Sequence, residues 1–168
     1  MTTRAYLQNI DLSGRLSVRY QRDGKGESLH GNFTWNQTPA QTGITLLSPL
    51  GQTVASIAIT PEGASLQQSG NVPPRTAPDV DELVTASLGW PLPIAGLRYW
   101  LQGFGTDASG NAFVASPQAP DVTTKDGWRL RYVNWQDDTP NRPKRIDLER
   151  WTAQAGDVAI RIVIDTWQ

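Results

Sequence analysis

The chain has 168 residues, a formal net charge of −1, no cysteine and a single histidine. That length makes one domain able to bury a core, with no disulfide, no thiolate metal site and no two-histidine metal site. The near-zero charge balance argues against a general polyanion binder, so no nucleic-acid partner is expected. Seven tryptophans against one methionine mark an aromatic bias, and 15 glycines with 12 prolines promise many turns.

The dominant pattern is period-2 alternation, the mark of half-buried strands. The first ten residues, MTTRAYLQNI, are expected to be a loose segment or the start of a helix. Leu16, Val18 and Tyr20 then alternate with Arg15, Ser17 and Arg19, and Gly31, Phe33 and Trp35 alternate with Asn32, Thr34 and Asn36. Residues 22–26, Arg-Asp-Gly-Lys-Gly, read as the loop of a hairpin between these runs. Ile44 and Leu46 start a third strand, Ala55, Ile57 and Ile59 mark a fourth, and Ala64 to Gln68 form a short fifth.

Pro73-Pro74-Arg75 is expected to break the sheet. Val80, Leu83, Val84, Ser87 and Leu88 follow helical spacing, with Thr76 and Asp79 in a capping-box arrangement and Gly89 as the stop. Asp79, Asp81 and Glu82 are charges at a helix start, where the macrodipole favours anions. A second helix is predicted over Ile94 to Gln102, with Ile94, Leu97 and Leu101 on its buried face and Gly103 ending it. Alternation returns at Trp128, Leu130 and Tyr132, then Ile146 and Leu148, then Val158, Ile160, Ile162 and Ile164. Strands, one helical insertion, then strands imply a mainly β fold, an antiparallel sheet with helices gathered in one place. A sheet of eight or more strands curls towards a barrel, and helices at its mouth fill or lid it.

Between Glu27 and Arg75 the only formally charged residue is Glu62. Two readings stand. The sheet there has both faces covered with uncharged polar residues outside, or the segment meets lipid, a membrane or an apolar ligand. At its centre Ser48-Pro49-Leu50-Gly51 is turn chemistry with a leucine at the tip, a candidate insertion knob.

Catalysis finds little support. His30 lies in a strand pattern, and neither Ser28 nor Ser48 sits in a nucleophile elbow. No metal site, cofactor motif or phosphate-binding glycine loop appears. In Trp128-Arg129-Leu130-Arg131-Tyr132 alternation separates aromatic from basic side chains, which suits an apolar interior better than a nucleic-acid platform. A container remains. Half-closed β-barrels hold apolar molecules, and enclosing a 16-carbon acyl chain is worth on the order of 10 kcal/mol at about 0.8 kcal/mol per methylene.

Several segments together resemble the LolB family of outer-membrane lipoprotein receptors of Gram-negative bacteria. They are the Ser48-Pro49-Leu50-Gly51 loop after the Phe33-x-Trp35 strand, and the block Leu88-Gly89-Trp90-Pro91-Leu92-Pro93 leading to Leu97-Arg98-Tyr99-Trp100-Leu101-Gln102-Gly103. Weaker echoes are Gly14-Arg15-Leu16-Ser17-Val18, Ile146-Asp147-Leu148 and the ending from Ile160 to Trp167. The resemblance implies an open, curved antiparallel β-barrel of about 11 strands with short helices plugging its concave face. It implies a monomeric, non-enzymatic domain over residues 1–168 that accepts acylated lipoproteins from a LolA-like periplasmic carrier. Delivery would then be to the inner leaflet of the outer membrane, on its periplasmic side.

In that family an exposed apolar residue on a protruding loop serves delivery, a role that falls here on Leu50. Candidate acyl-chain cavity residues are Phe33, Trp35, Leu46, Ile57, Ile59, Trp128, Leu130 and Tyr132 on strands, with Leu83, Leu88, Leu97 and Leu101 on helices. Ordinary core packing explains each of them equally well. The family is anchored through a lipidated N-terminal cysteine after a signal peptide, and neither is seen here. Met1-Thr2-Thr3 reads as an added start to a domain that begins after its anchor. The competing readings are the periplasmic carrier itself, a carrier of another apolar ligand, a lipid-acting enzyme, and a protein-interaction module.

Overall fold

The computed structural model describes residues 4–137, 142–153 and 155–167. The chain forms β1 (Ile10–Arg22), β2 (Lys25–Gln37), β3 (Thr42–Leu47), β4 (Thr53–Thr60), β5 (Gly63–Gln68) and β6 (Arg75–Ala77). Helices α1 (Val80–Leu88) and α2 (Ile94–Trp100) follow, then β7 (Phe104–Thr106), β8 (Ala112–Val114) and β9 (Asp121–Thr123). β10 (Arg129–Trp135), β11 (Pro143–Thr152) and β12 (Gly156–Trp167) complete it.

Ten strands form one curved antiparallel sheet that does not close, in the order β6-β5-β4-β3-β2-β1-β12-β11-β10-β9. The expected barrel of about 11 strands is therefore ten in the main sheet, with β7 and β8 a separate two-stranded ribbon. Neighbours in the sheet are neighbours in sequence except at the centre, where β1 pairs β12. The helices and ribbon carry the chain from one sheet edge, β6, to the other, β9. That crossing keeps the barrel open and lays the helices over the concave face.

Alternation decides which side chains enter. Val18, Tyr20, Phe33, Trp35, Ile44, Ile57, Leu66, Trp128, Leu130, Tyr132, Ile146, Leu148 and Ile160 are buried in one cluster with Leu83, Leu97 and Leu101 of the helices. Most of the outward residues between them are polar or charged, with Gly43, Ala58, Val133 and Ala159 as apolar exceptions. The β1–β2 connection is tighter than the five-residue loop expected: Asp23 and Gly24 alone make the turn, both at positive φ (52° and 78°). A two-residue hairpin turn needs that geometry to follow the strand twist, and Asp-Gly adopts it. Gly14 sits at a register shift in β1, where a Cβ would lie 2.0 Å from the Val163 carbonyl oxygen. Only glycine lets β12 come that close.

Three sequence expectations need correction. Pro73-Pro74-Arg75 does not end the sheet, because Arg75–Ala77 pairs with β5 as a three-residue edge strand. The edge position explains the tolerance, since prolines just before it remove no ladder bond. Asp79, not Thr76, caps α1, its Oδ1 accepting from Glu82 N at 3.1 Å, while Gly89 ends the helix at φ 86° as expected. Residues 4–9, before β1, are not helical and are tied down by long-range hydrogen bonds, while residues 1–3 lie outside the described residues. Leu7 N donates to Gln102 Oε1 at 2.8 Å and Gln102 Nε2 donates to Leu7 O at 2.9 Å, a side-chain amide replacing a strand partner. Arg4 adds bonds to the carbonyls of Gln102 and Ala115. Such long-range pinning by one amide carries no local signal.

Candidate membrane loop and helix-covered interior

Residues 48–52 join β3 to β4 at a corner of the sheet. Gly51 N donates to Ser48 O at 2.9 Å, closing a β-turn with Pro49 at its second position and Leu50 at its third. Ser48 N donates to Gln52 O at 2.7 Å, and Gln52 N donates to Ser48 Oγ at 3.2 Å. Gly51 takes φ 88°. Proline fixes one φ, glycine supplies the left-handed one, and serine closes the base, so the turn is stiff. Leu50 projects from its tip, 90% exposed. The apolar tip is presented by a rigid support at no cost to folding.

Beside the loop, Val54 is 43% exposed. It falls out of phase with the buried Ala55 and Ile57, a broken alternation that sequence reading could have used and did not. The outward residues Gly43, Thr45, Ser56, Ala58, Ser65 and Gln67 carry no charge; Ser56, Ala58 and Gln67 are exposed and the other three half-buried. The reading of two covered faces therefore gives way to its other half, a wet face of small uncharged side chains.

The opposite half of the outer face is ionic. Arg15–Asp165 (2.9 Å), Arg129–Glu149 (3.3 Å), Arg131–Asp121 (2.8 Å) and Arg145–Asp147 (3.0 Å) bridge strands or neighbours, and Arg161 shares Asp147 at 3.4 Å. Arg131 holds the Asp121 carboxyl below the usual range by hydrogen bonding. Exposed pairs of this kind contribute little to stability. They do make this half of the face strongly hydrated. The sheet thus has a charged outer half and an uncharged half that ends at Leu50.

On the concave side every proposed cavity residue is in or against the core. Phe33, Trp35, Leu46, Ile57, Leu83, Leu97, Leu101, Trp128, Leu130 and Tyr132 are buried, and Ile59 and Leu88 are partly buried against them. Trp90 and Trp100 are buried as well. The two helices are held unequally. Tyr132 Oη donates to Trp100 O at 2.6 Å, Arg98 Nη1 donates to Thr42 Oγ1 at 3.0 Å, and Tyr6 Oη donates to Arg98 O at 3.1 Å. These bonds fix α2 to β10, to β3 and to the segment before β1. Burial pushes the Tyr132 phenol far above its ordinary pKa.

α1 is tied to α2 at its start, where Asp81 Oδ1 accepts from Ala95 N at 3.1 Å. Burial raises the Asp81 carboxyl against that bond. Its far end has Gln68 Nε2 donating to Ser87 O at 3.1 Å, while the buried Ser87 hydroxyl finds no partner.

His30 is exposed on the outer face of β2, opposite Ser17, and Ser48 Oγ is engaged within its own turn. Among the described residues no group of three His, Cys, Asp or Glu side chains could hold a metal ion, and no helix is long and apolar enough to cross a membrane.

A family model described as outer membrane lipoprotein LolB matches residues 8–167. The chain belongs to the LolB family. The outer-membrane lipoprotein LolB of Cupriavidus necator is 42% identical over 154 residues, covering 91% of this chain and 77% of that protein. That of Thiobacillus denitrificans is 40% identical over 159 residues, covering 94% and 78%. Two solved structures share the fold at low identity. A DUF1329 family protein from Desulfovibrio piger has a TM-score of 0.55 at 10% identity, covering 94% of this chain and 85% of its own. A LolA superfamily protein from Nitrosomonas europaea has a TM-score of 0.50 at 8% identity, covering 98% and 87%. The expected family and its open, helix-covered sheet are thus both found in this chain.

Proposed function

We propose that this LolB-family domain is an outer-membrane lipoprotein receptor. It takes acylated proteins from a LolA-like carrier in the periplasm, holds their acyl chains between the curved sheet and its helices, and releases them into the inner leaflet of the outer membrane. The observation that carries the reading is Leu50, 90% exposed on an internally hydrogen-bonded turn beside an uncharged face. A rigid apolar tip enters a bilayer interface with little ordering cost, and the charge-free strands behind it add little desolvation penalty. The ionic half of the sheet would stay in water.

Side chains of the sheet and helices pack into one buried cluster, so acyl chains need room. α1 is the element that yields. Three side-chain hydrogen bonds from outside the helices hold α2, whereas the C-terminal half of α1 is held by one part-buried amide bond and by packing. Swinging α1 about its Asp81 link would uncover Leu83, Leu88 and Trp128 to chains worth on the order of 0.8 kcal/mol per methylene. No bond is made or broken in this cycle, so no catalytic group is required. Acyl chains enter because the cavity shields them, and leave because a bilayer shields them better.

The test is transfer. A carrier loaded with a fluorescent acylated lipoprotein is mixed with this protein, then with liposomes of outer-membrane inner-leaflet composition. The receptor reading expects fluorescence to move to the protein and from it to the liposomes. A folded protein that takes up no lipoprotein from the carrier would overturn it.

A further inference from the structure

β2 runs beyond its neighbour. β1 pairs β2 along its whole length, from Ile10↔Gln37 to Arg22↔Lys25. β3 pairs only Asn32 to Gln37, because the chain leaves the sheet at Leu47 for the Leu50 turn. A Cβ on Gly31 would lie 2.3 Å from Leu47 O, marking the corner where the strands part. Among the described residues, Lys25 to Gly31 is therefore a strand edge with no partner strand on one side. At about 3.3 Å per residue it is roughly 20 Å long.

The register says which groups are free. Arg22 and Lys25 close a two-residue turn and so form a hydrogen-bonded pair, after which bonded and non-bonded pairs alternate. Glu27, Leu29 and Gly31 thus bond to β1. Gly26, Ser28 and His30 turn N–H and C=O to the open side. The strand is extended, twisted with its sheet and held by β1 and β12 behind it, so it is a preformed template.

The chemistry of this edge selects its occupant. A row of alternating backbone donors and acceptors is matched by an extended polypeptide and by neither lipid nor a helix. The flanking side chains are small at Gly26, Ser28 and Gly31, and Lys25 and Glu27 offset each other in charge. Recognition through backbone alone tolerates many sequences, which suits a receptor for more than one lipoprotein.

The location agrees. The open edge adjoins the Leu50 turn, with Asn32 Nδ2 donating to Ser48 O at 3.5 Å. Leu29, on the inward side opposite Val18, is 44% exposed. The hairpin tip meets the end of α1, Arg22 lying against Gly89 and Tyr20 against Trp90. A cargo with its acyl chains under α1 has its first residues emerging beside this edge. We propose that the Lys25–Gly31 edge of β2 binds the extended polypeptide that follows the acylated terminus of the cargo, adding it to the sheet as a strand. The inference rests on the receptor reading and names where the protein part of the cargo lies.

Amide hydrogen exchange tests it with two synthetic lipopeptides sharing one diacylglyceryl-cysteine head. One has a tail of about eight uncharged residues, long enough to span the edge; the other stops after two. Binding of the head is read separately from tryptophan fluorescence. The long tail is expected to slow exchange at Gly26, Ser28 and His30 at least tenfold. Glu27 and Leu29, already bonded to β1, serve as controls, and the short tail leaves all five unchanged.

Ser28→Pro removes one outward N–H at an edge where proline is tolerated, and should weaken the long lipopeptide roughly five- to tenfold and the short one not at all. N-methylating alternate residues of the tail should do the same without touching the protein. Binding of both lipopeptides with fast exchange at Gly26, Ser28 and His30 overturns the inference alone. Protection that rises with protein concentration and needs no lipopeptide would assign the edge to a second copy and overturn it too. Binding of neither lipopeptide overturns the receptor reading and the inference with it.

Discussion

Replacing Leu50 separates delivery from folding. Its side chain is 90% exposed, so it contributes almost nothing to the folded core, and Leu50→Ala should change stability by less than about 0.5 kcal/mol. In a bilayer interface nearly the whole side chain is available for burial, worth roughly 1.5–3 kcal/mol. Truncation to alanine removes three carbons, on the order of 2 kcal/mol at about 0.8 kcal/mol each, or roughly thirtyfold in partitioning. Leu50→Glu loses the same contact and adds a charge that resists leaving water. The assay measures three quantities on one preparation: melting temperature, acyl uptake from the carrier, and lipoprotein delivered to liposomes. Melting should move by no more than about 2 °C and uptake should be unchanged. Delivery should fall by about an order of magnitude or more for alanine and further for glutamate. Normal delivery by Leu50→Glu would refute the role of the loop, as would a loss of delivery that tracked a loss of uptake.

Other expectations concern what holds the receptor in shape. Gly14→Ala puts a methyl 2.0 Å from Val163 O and should cost more than about 3 kcal/mol in urea unfolding, whereas Gly43→Ala, with nothing within 4 Å, should cost under about 1 kcal/mol. Tyr132→Phe removes the 2.6 Å bond to Trp100 O and should lower stability by about 1–2 kcal/mol at neutral pH. The Tyr132 phenol keeps its proton in the folded state to higher pH than in the unfolded chain. Above pH of about 10 the unfolded state binds fewer protons, so stability should fall with rising pH by up to about 1.4 kcal/mol per unit, and the phenylalanine variant should lack that part of the slope. Asp79→Ala removes the cap of α1 and should cost about 1 kcal/mol, seen as a lower thermal midpoint with little change in the spectrum of the folded state.

Much of the fold was legible because alternation is a local record of burial. The inward phase of Leu16 to Tyr20, Phe33 to Trp35 and Val158 to Ile164 needs no partner to be read. The turn residues were legible for the same reason, Gly89 ending α1 and Ser48 to Gly51 making the Leu50 turn. β6, β7, β8 and β9 are three residues each, too short to show a period. The N-terminal segment was misread because its partner is Gln102, a residue about 95 positions away. Leu50 could be named a candidate from turn chemistry and the charge-poor flank. Val54, an apolar residue out of phase with Ala55 and Ile57, was missed, because its exposure depends on what packs over the outer face.

By itself the sequence determined which side chains face inward, where the chain turns, that one half of the sheet lacks charge, and which family the chain resembles. All of these are set by residue type at short range. Tertiary structure alone decided that β2 outruns β3, that three side-chain hydrogen bonds hold α2 while one holds the end of α1, and that the helices span from one sheet edge to the other. Those depend on the relative lengths and registers of strands distant in sequence. The physical reason is that a strand records its own two faces in its side chains, while its edges are backbone, and backbone is the same whether a neighbour is present or missing.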